Sequence, residues 1–213
     1  MAFRSAWMTT AILLHFASHG QWRLGGGAAL HAERRGQTVY YGPTIGAGYS
    51  INERWSVNAS GLYSFPRRTD VDLITSPQSI SAGDTVHARR AYEVTNMLSA
   101  FGIDCTMKLG KVKRHKPKGH AVVGGGLMFL NRRVQGRGWY TNLNTGTRSP
   151  ISFVDRDMWG ALSMHGGYER ETKRGAWFVE ALFLLQAEAI ASWPSDLAVQ
   201  PRVGYLLHLG NNR

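Results

Sequence analysis

From Gln21 to Leu209 the chain repeats one pattern about eight times: roughly ten residues in which every second side chain is apolar, closed by a turn. Successive side chains of a strand point to opposite faces, so a period of two means a strand with one apolar face; a helix would mix the two sets. In the last segment Val199, Pro201, Val203, Tyr205, Leu207 and Leu209 oppose Gln200, Arg202, Gly204, Leu206, His208 and Gly210. The first segment sets Trp22, Leu24, Gly26, Ala28, Leu30 and Ala32 against Arg23, Gly25, Gly27, Ala29, His31 and Glu33. The same period runs through Val39–Asn52, where Tyr41, Ile45 and Tyr49 share a face, and through Trp55–Phe65, where Trp55, Val57 and Tyr63 do. The pattern predicts an all-β chain: a closed antiparallel up-and-down transmembrane β-barrel of eight strands.

The middle segments are less regular. Phe101, Ile103, Cys105, Met107 and Leu109 form one apolar face, but Tyr92 and Val94 are out of phase with it, which predicts a bulge or slipped register. Residues 120–131 are apolar on both faces, and 158–169 reads in either phase: Leu162, Met164 and Tyr168 outward, or Trp159 and Ala161. From Trp177 onward the apolar face is Trp177, Val179, Ala181, Phe183 and Leu185, because the other phase would carry Glu180, Gln186 and Glu188 with it. Pro43 and Pro201 each lack a ladder donor and must lie at a strand end or bulge.

The 25 glycines and the 18% of charged residues depart from the soluble-enzyme norm of about 7% glycine and about 25% charge. The triplets Gly25–Gly27 and Gly124–Gly126 fall inside strands, where glycine relieves crowding in a narrow, curved barrel. Residues 1–20 hold Arg4, an apolar core from Ala11 to Phe16 and small residues at Ser18 and Gly20. This is the pattern of a cleaved export leader, and the apolar run falls short of the roughly 20 residues a spanning helix needs. The expected organisation is a signal peptide over 1–20 and an outer-membrane barrel over 21–213, in a Gram-negative-type cell. A single cysteine, Cys105, excludes an internal disulfide framework.

Connection lengths set the topology. Residues 33–38, 52–54 and 170–176 are short, 110–119 and 189–198 intermediate, 66–90 and 132–157 long. With both termini periplasmic, 52–54, 110–119 and 170–176 become inner turns and the two long loops fall outside. Trp22, Trp55 and Trp177 each open a strand rising from the periplasmic side, at the depth of an interfacial aromatic girdle. Tyr40, Tyr41, Tyr63, Phe65, Tyr92 and Trp159 lie near the opposite strand ends and are read as the outer girdle. In pattern and topology, Gln21–Leu209 resembles the small eight-stranded outer-membrane barrels of the OmpA and OmpX type. The closing strand, with Val203, Tyr205, Leu207 and Leu209, looks like the signal by which that class is recognised by the insertion machinery, although Asn211, Asn212 and Arg213 follow it.

The inward face is expected to carry Arg23, His31, Glu33, Glu180, Glu188, Arg202 and His208, with Arg23, Glu180 and Arg202 in one ion network, since a buried charge needs a partner. Eight strands enclose just enough space for side chains, so no pore is expected. Outside the strands, Arg67, Arg68, Arg89, Arg90, Arg132 and Arg133 are candidate lipopolysaccharide contacts, arginine being suited to bidentate phosphate binding. Lys111, Lys113, Arg114, His115, Lys116 and Lys118 crowd one inner turn, facing headgroups or a periplasmic partner. The functional reading is a structural or interaction barrel, an accessory subunit of a larger outer-membrane complex, with outer-membrane lipid and a second outer-membrane or periplasmic protein as expected partners. No cofactor, metal or nucleic acid is expected. Two alternatives compete. One is a lipopolysaccharide-modifying enzyme using Ser163, His165 and Glu169, although Ser163 and His165 are about 7 Å apart along a strand. The other is a soluble lipocalin-like barrel with its apolar face inside, because period alone does not say which face is inward.

Overall fold

The computed structural model of the chain describes residues 21–33, 38–81, 84–110, 119–186 and 197–209, with 74–81 and 84–87 described in backbone alone. The leader 1–20, the basic residues 111–118, Glu188 and residues 210–213 lie outside the described residues. The strands are β1 (Gln21–Glu33), β2 (Val39–Ser50), β3 (Trp55–Tyr63), β4 (Arg67–Ser81), β5 (Asp84–Lys108), β6 (Gly119–Asn142), β7 (Arg148–Glu171), β8 (Gly175–Gln186) and β9 (Leu197–Leu209). All pairings are antiparallel, and β1 pairs with β9 to close the ring. β3 and β4 both pair with β5 and share one position, so the ring has eight. Between them the Ser64 side chain maintains the ladder: its Oγ accepts the Leu98 N–H at 2.7 Å, while the Ser64 N–H donates to the Leu98 carbonyl at 2.8 Å.

The registers fix the geometry of closure. Starting at Trp22, the hydrogen-bonded row passes Tyr49, Val57, Cys105, Gly125, Met164, Phe183 and Val199, and returns to β1 at Ala32. The row re-enters ten residues further along (32 less 22), a shear of ten for eight strands. With a rise of about 3.3 Å per residue and strands about 4.8 Å apart, this shear tilts the strands by about 40° and sets a radius of about 8 Å.

The apolar face points out. Leu24, Ile45, Tyr63, Phe101, Phe129, Met164, Val179 and Leu207 are all exposed, while Arg23, Ser56, Asp104, His120, His165 and Gln200 on the alternate positions are buried. This overturns the lipocalin-like arrangement. It also settles 158–169, with Leu162, Met164 and Tyr168 outward and Trp159 and Ala161 inward. Segment 120–131 is apolar on both faces because Val122, Met128 and Leu130 fill the lumen while Val123, Leu127 and Phe129 face out.

Three expectations are corrected. Residues 66–90 and 132–157 are largely strand: β4 to β7 run on past the ring as a four-stranded sheet. Pairing between β5 and β6 is continuous from Ala88↔Asn142 to Lys108↔Val122, so no bulge separates Tyr92 and Val94 from Phe101. They simply occupy the inner face of the projecting sheet, where alternation no longer answers to lipid, and Tyr92 packs edge-on against Phe153 at 5.9 Å. Finally, Tyr40 is buried in the lumen and Trp159 packs against the lumenal core, so neither they nor Tyr92 belong to an outer girdle. Tyr41, Tyr63 and Phe65 do face outward, with Tyr41 and Phe65 in ring contact at 5.7 Å.

Local sequence explains the details. At the β6–β7 turn, Asn142 accepts the N–H groups of Asn144 and Thr145 at 2.9 and 3.2 Å, and Gly146 takes a φ of 73° that L side chains rarely adopt. Pro43 lies just past the end of the β2–β3 register at Thr44↔Leu62. Pro201 lies in a gap of the β1–β9 register between Ala29↔Arg202 and Ala32↔Val199, so its missing donor costs no ladder bond there. Both glycine triplets lie against a neighbouring strand's backbone. A Cβ on Gly25 or Gly27 would fall on the Tyr205 or Val203 carbonyl, and one on Gly126 would lie 2.6 Å from the Asp104 Cα. Gly126→Val is therefore expected to cost on the order of 4 kcal/mol or more. Urea titration of the refolded barrel in lipid vesicles checks this, with Gly160→Val, whose Cβ meets nothing within 4 Å, as the tolerated comparison.

Candidate functional site in the lumen and at the outer rim

Inward side chains sort by height into three layers. The lowest, nearest the described chain ends, is charged. Arg23 Nη1 donates to both carboxylate oxygens of Glu169, at 3.1 and 3.0 Å, reaching across the ring from β1 to β7. Lys108 Nζ meets Glu169 at 2.8 Å and also pairs with Glu171. Arg202 donates from Nε to Glu180 at 2.8 Å and from Nη1 to Ser60 at 3.1 Å, with Asp104 3.7 Å from its Nη2. The two groups are joined by Asn58, whose amide donates to Asp104 at 2.9 Å and Thr106 at 2.8 Å and whose carbonyl accepts from Arg23 at 3.4 Å.

Proton accounting then fixes a tautomer. The Thr106 hydroxyl donates its one proton to Asp104 at 3.0 Å, so at the 3.0 Å contact with His165 it is Nε2 that donates. His165 Nδ1 is left buried and without a protein partner, as are Arg23 Nε and His208 Nδ1. A cavity of about 50 Å³ lies beside Arg23, lined also by Asn58, Thr106, Glu169, Glu180 and Arg202 among others. That is room for a few water molecules.

The middle layer is apolar. Leu62, Leu98, Met128, Leu130, Leu182 and Leu184 meet Ala29, Ala100, Ala161 and Ala198 beneath Tyr40, and every one is buried. Large side chains from some strands face alanines from others, so the cross-section fills. Above it lies a second polar cluster: His31 contacts Gln200 at 3.4 Å and Glu33 at 3.4 Å, and Arg132 reaches Glu33 at 3.7 Å, pairs with Asp157 and lies 5.5 Å over the Trp159 ring.

Of the sequence candidates, Arg23, His31, Glu33, Glu180, Arg202 and His208 all face the lumen, and Arg23 is joined to Arg202 and Glu180 through Asn58 and Asp104. Arg202 pairs with Glu180, whereas Arg23 pairs with Glu169, and His31 with Glu33 sits on the far side of the apolar layer. Glu188 lies outside the described residues. Asn58, Asp104, Thr106, Lys108 and Glu169 were missed as partners; their parity, opposite to Val57, Ile103, Cys105 and Tyr168, carried the signal. Ser163 and His165 are buried in the lumen rather than presented at a leaflet, and His165 is engaged by Thr106.

The proposed rim arginines divide. Arg132 turns inward, away from any lipid, because its parity is that of Leu130. Arg68 pairs with Glu93 at 3.3 Å; Arg89 pairs with Asp72, and its hydrogen bond holds the Asp72 carboxyl below the ordinary range. Arg67 donates to the Val39 carbonyl at 3.4 Å, Arg90 is exposed, and Arg133 has its Nε buried without a partner. At the opposite end Trp22, Trp55 and Trp177 are all exposed; Trp22 contacts Tyr49 at 5.1 Å and Trp177 contacts Tyr205 at 4.8 Å.

An up-and-down ring of eight strands is also what structural comparison finds. The chain superposes on the attachment invasion locus protein Ail of Yersinia pestis, in complex with the heparin analogue sucrose octasulfate, with a TM-score of 0.53 at 9% identity over 89% of this chain and 99% of that one. The fold is that of the small outer-membrane barrels. Neisserial surface protein A, at 11% identity and a TM-score of 0.48, covers 89% of this chain and 97% of its own. The N-terminal β-barrel domain of Pseudomonas aeruginosa OprF, at 14% and 0.45, covers 89% and 100%. No protein-family description matches the sequence, and no curated protein does.

Removing Glu169 leaves Arg23 and Lys108 facing each other in the lumen. Glu169→Ala is expected to destabilise the barrel by about 3–5 kcal/mol, the usual cost of stranding a buried charge. The check is again urea unfolding from vesicles, with Glu171→Ala, more exposed and at the rim of the same layer, losing less.

Proposed function

We propose that this chain is an outer-membrane barrel with a structural or interaction role, an accessory component of a larger surface assembly, exported on the leader 1–20 and matured at Gln21. Its termini are periplasmic, its lumen is a plug, and its contacts with partners are made by the sheet that β4 to β7 build beyond the ring. The observation that carries this reading is the apolar layer across the lumen, because a continuous set of buried leucines, methionine and tyrosine offers no water path between the two polar clusters. A barrel so filled has its available chemistry on the outside.

The projecting sheet supplies that chemistry. Its hairpin strands are longer than spanning requires, since roughly 9–11 residues cross a bilayer and β6 has 24. Trp139, Phe153, Leu143 and Leu73 are exposed there, and Arg148 stacks 5.9 Å from the Trp139 ring. Exposed aromatics beside arginine are the residue types that anchor protein interfaces. A barrel of the same fold, Ail, is seen with a polysulfated sugar, which supports anionic surface ligands as a second class of partner. For the closing strand, outward Val203, Tyr205, Leu207 and Leu209 provide the apolar face on which insertion machinery acts.

Fractionation of cells expressing the full chain is expected to keep it with membranes until detergent is added, with an N-terminus at Gln21 by mass spectrometry and a heat-dependent shift in gel mobility. Release without detergent and no shift would overturn the membrane reading. In planar bilayers the folded barrel is expected to pass no steady current; a stable open conductance would overturn the plug. Replacing 135–154 by a short turn is expected to leave the heat-modifiable barrel intact, since the ring's pairings lie below that segment.

A further inference from the structure

We propose that Arg133 and Arg156 form a clamp for a phosphate group borne by a lipid headgroup of the outer leaflet; this rests on the outer-membrane reading above. The two arginines are direct cross-strand partners in the β6–β7 register, Arg133↔Arg156, and both have the parity of the lipid-facing side chains. Like charges directly opposite on one sheet face repel, so such a pair is unfavourable unless something negative lies between. Nothing among the described residues supplies it. Neither residue has an ion-pair partner among the described residues, and their neighbours on that face, Met97, Asn131, Gln135, Val154 and Met158, are uncharged. Arg133 Nε is buried with its hydrogen-bonding capacity unused. The neighbouring arginines behave differently, since Arg68, Arg89 and Arg132 each have a carboxylate in contact.

Depth identifies the ligand. On β7 the outward positions from Tyr168 to Met158 form an unbroken uncharged belt, and Met158 is 79% exposed. Ten residues tilted by about 40° rise about 25 Å, which is the height of the apolar band of an outer-membrane barrel. Arg156 is the next outward residue, and Arg133 stands beside it. The pair therefore lies at the upper edge of the hydrocarbon, where headgroup phosphates are. Guanidinium groups offer planar paired donors to phosphate oxygens, and two of them match a doubly charged monoester. A free phosphate ion has the same oxygens but no chains to lie along Met158, Leu162 and Phe129 below, so the geometry favours the lipid-borne group.

Native mass spectrometry of the detergent-folded full chain tests this with three probes: lipid A carrying its phosphates, enzymatically dephosphorylated lipid A, and inorganic phosphate. Wild type is expected to retain the phosphorylated lipid at least about tenfold better than the dephosphorylated one, and Arg133→Gln/Arg156→Gln to lose that preference. Inorganic phosphate at millimolar concentration is expected not to displace the lipid. Arg156→Glu adds a reading that misfolding cannot mimic: it converts the repelling pair into an ion pair, so it should unfold later than wild type in phosphate-free detergent while losing the lipid. Equal retention of both lipids by wild type, retention of the preference by the variants, or displacement by inorganic phosphate each overturns the clamp. With heat-modifiability intact in those samples, such a result leaves the barrel reading standing.

Discussion

Closure of the hydrogen-bonded ring is the constraint on which everything else in this molecule depends. Once β1 meets β9 with a shear of ten, the tilt, the radius and the interior volume are set, and no side chain can change them without breaking the ladder. The interior residues must then fit a space of given size. Where neighbouring backbone leaves no room for a Cβ only glycine fits, at Gly25, Gly27 and Gly126; in the apolar layer leucine from one strand meets alanine from another. Backbone pairing thus comes first and packing is fitted to it, the reverse of a soluble core, where burial of apolar surface is the driving term.

The same closure explains why the lumen tolerates so much charge. Outward apolar residues satisfy the bilayer, so inward positions are released from that demand and need only mutual satisfaction. Glu169 answers two cations and Arg202 two carboxylates, with Asn58 and Thr106 bridging. A buried pair is not a strong source of stability against an apolar replacement, but a half-removed one is costly, so such a network ties β1, β3, β5, β7, β8 and β9 into one arrangement. The apolar layer then separates this network from the His31–Glu33–Arg132 cluster, so the two charged sets do not compete for partners.

Much of this was legible in the sequence, and for a physical reason. Alternation is imposed by lipid, so it is cleanest where lipid touches: the outward faces of β1, β2, β3, β8 and β9 read directly, as did the tryptophans at one rim. The signal failed where that pressure ends. Tyr92 and Val94 looked like a slipped register because they lie above the belt, where either face can carry an aromatic. Residues 132–157 looked like loop because charged side chains replaced the apolar ones, although pairing continued unbroken. Arg23 with Glu169 was not readable at all, since strand period says which face a residue takes and nothing about what it meets across eight strands.

The projecting sheet poses the remaining physical problem, because among the described residues β4 and the upper part of β7 have no strand on their far sides. Open edges invite pairing with other chains. Here they are marked by Arg67, Arg68, Asp70 and Asp72 on β4 and by Pro150, Asp155, Arg156 and Asp157 on β7, the charged and proline-bearing composition that discourages edge addition. The charges are also used in pairs, Arg68 with Glu93 and Arg89 with Asp72 across the β4–β5 ladder, Arg132 with Asp157 across β6–β7. Exposed pairs of this kind contribute little energy each. Their geometry differs: Arg132 and Asp157 are direct cross-strand partners, whereas Arg68–Glu93 and Arg89–Asp72 reach diagonally across the β4–β5 ladder. Like stands against like on the outward face at Asp70↔Glu93 and at Arg133↔Arg156; Arg68 answers Glu93, whereas the arginine pair has no carboxylate among the described residues and falls at the height where the surrounding medium carries the negative charge.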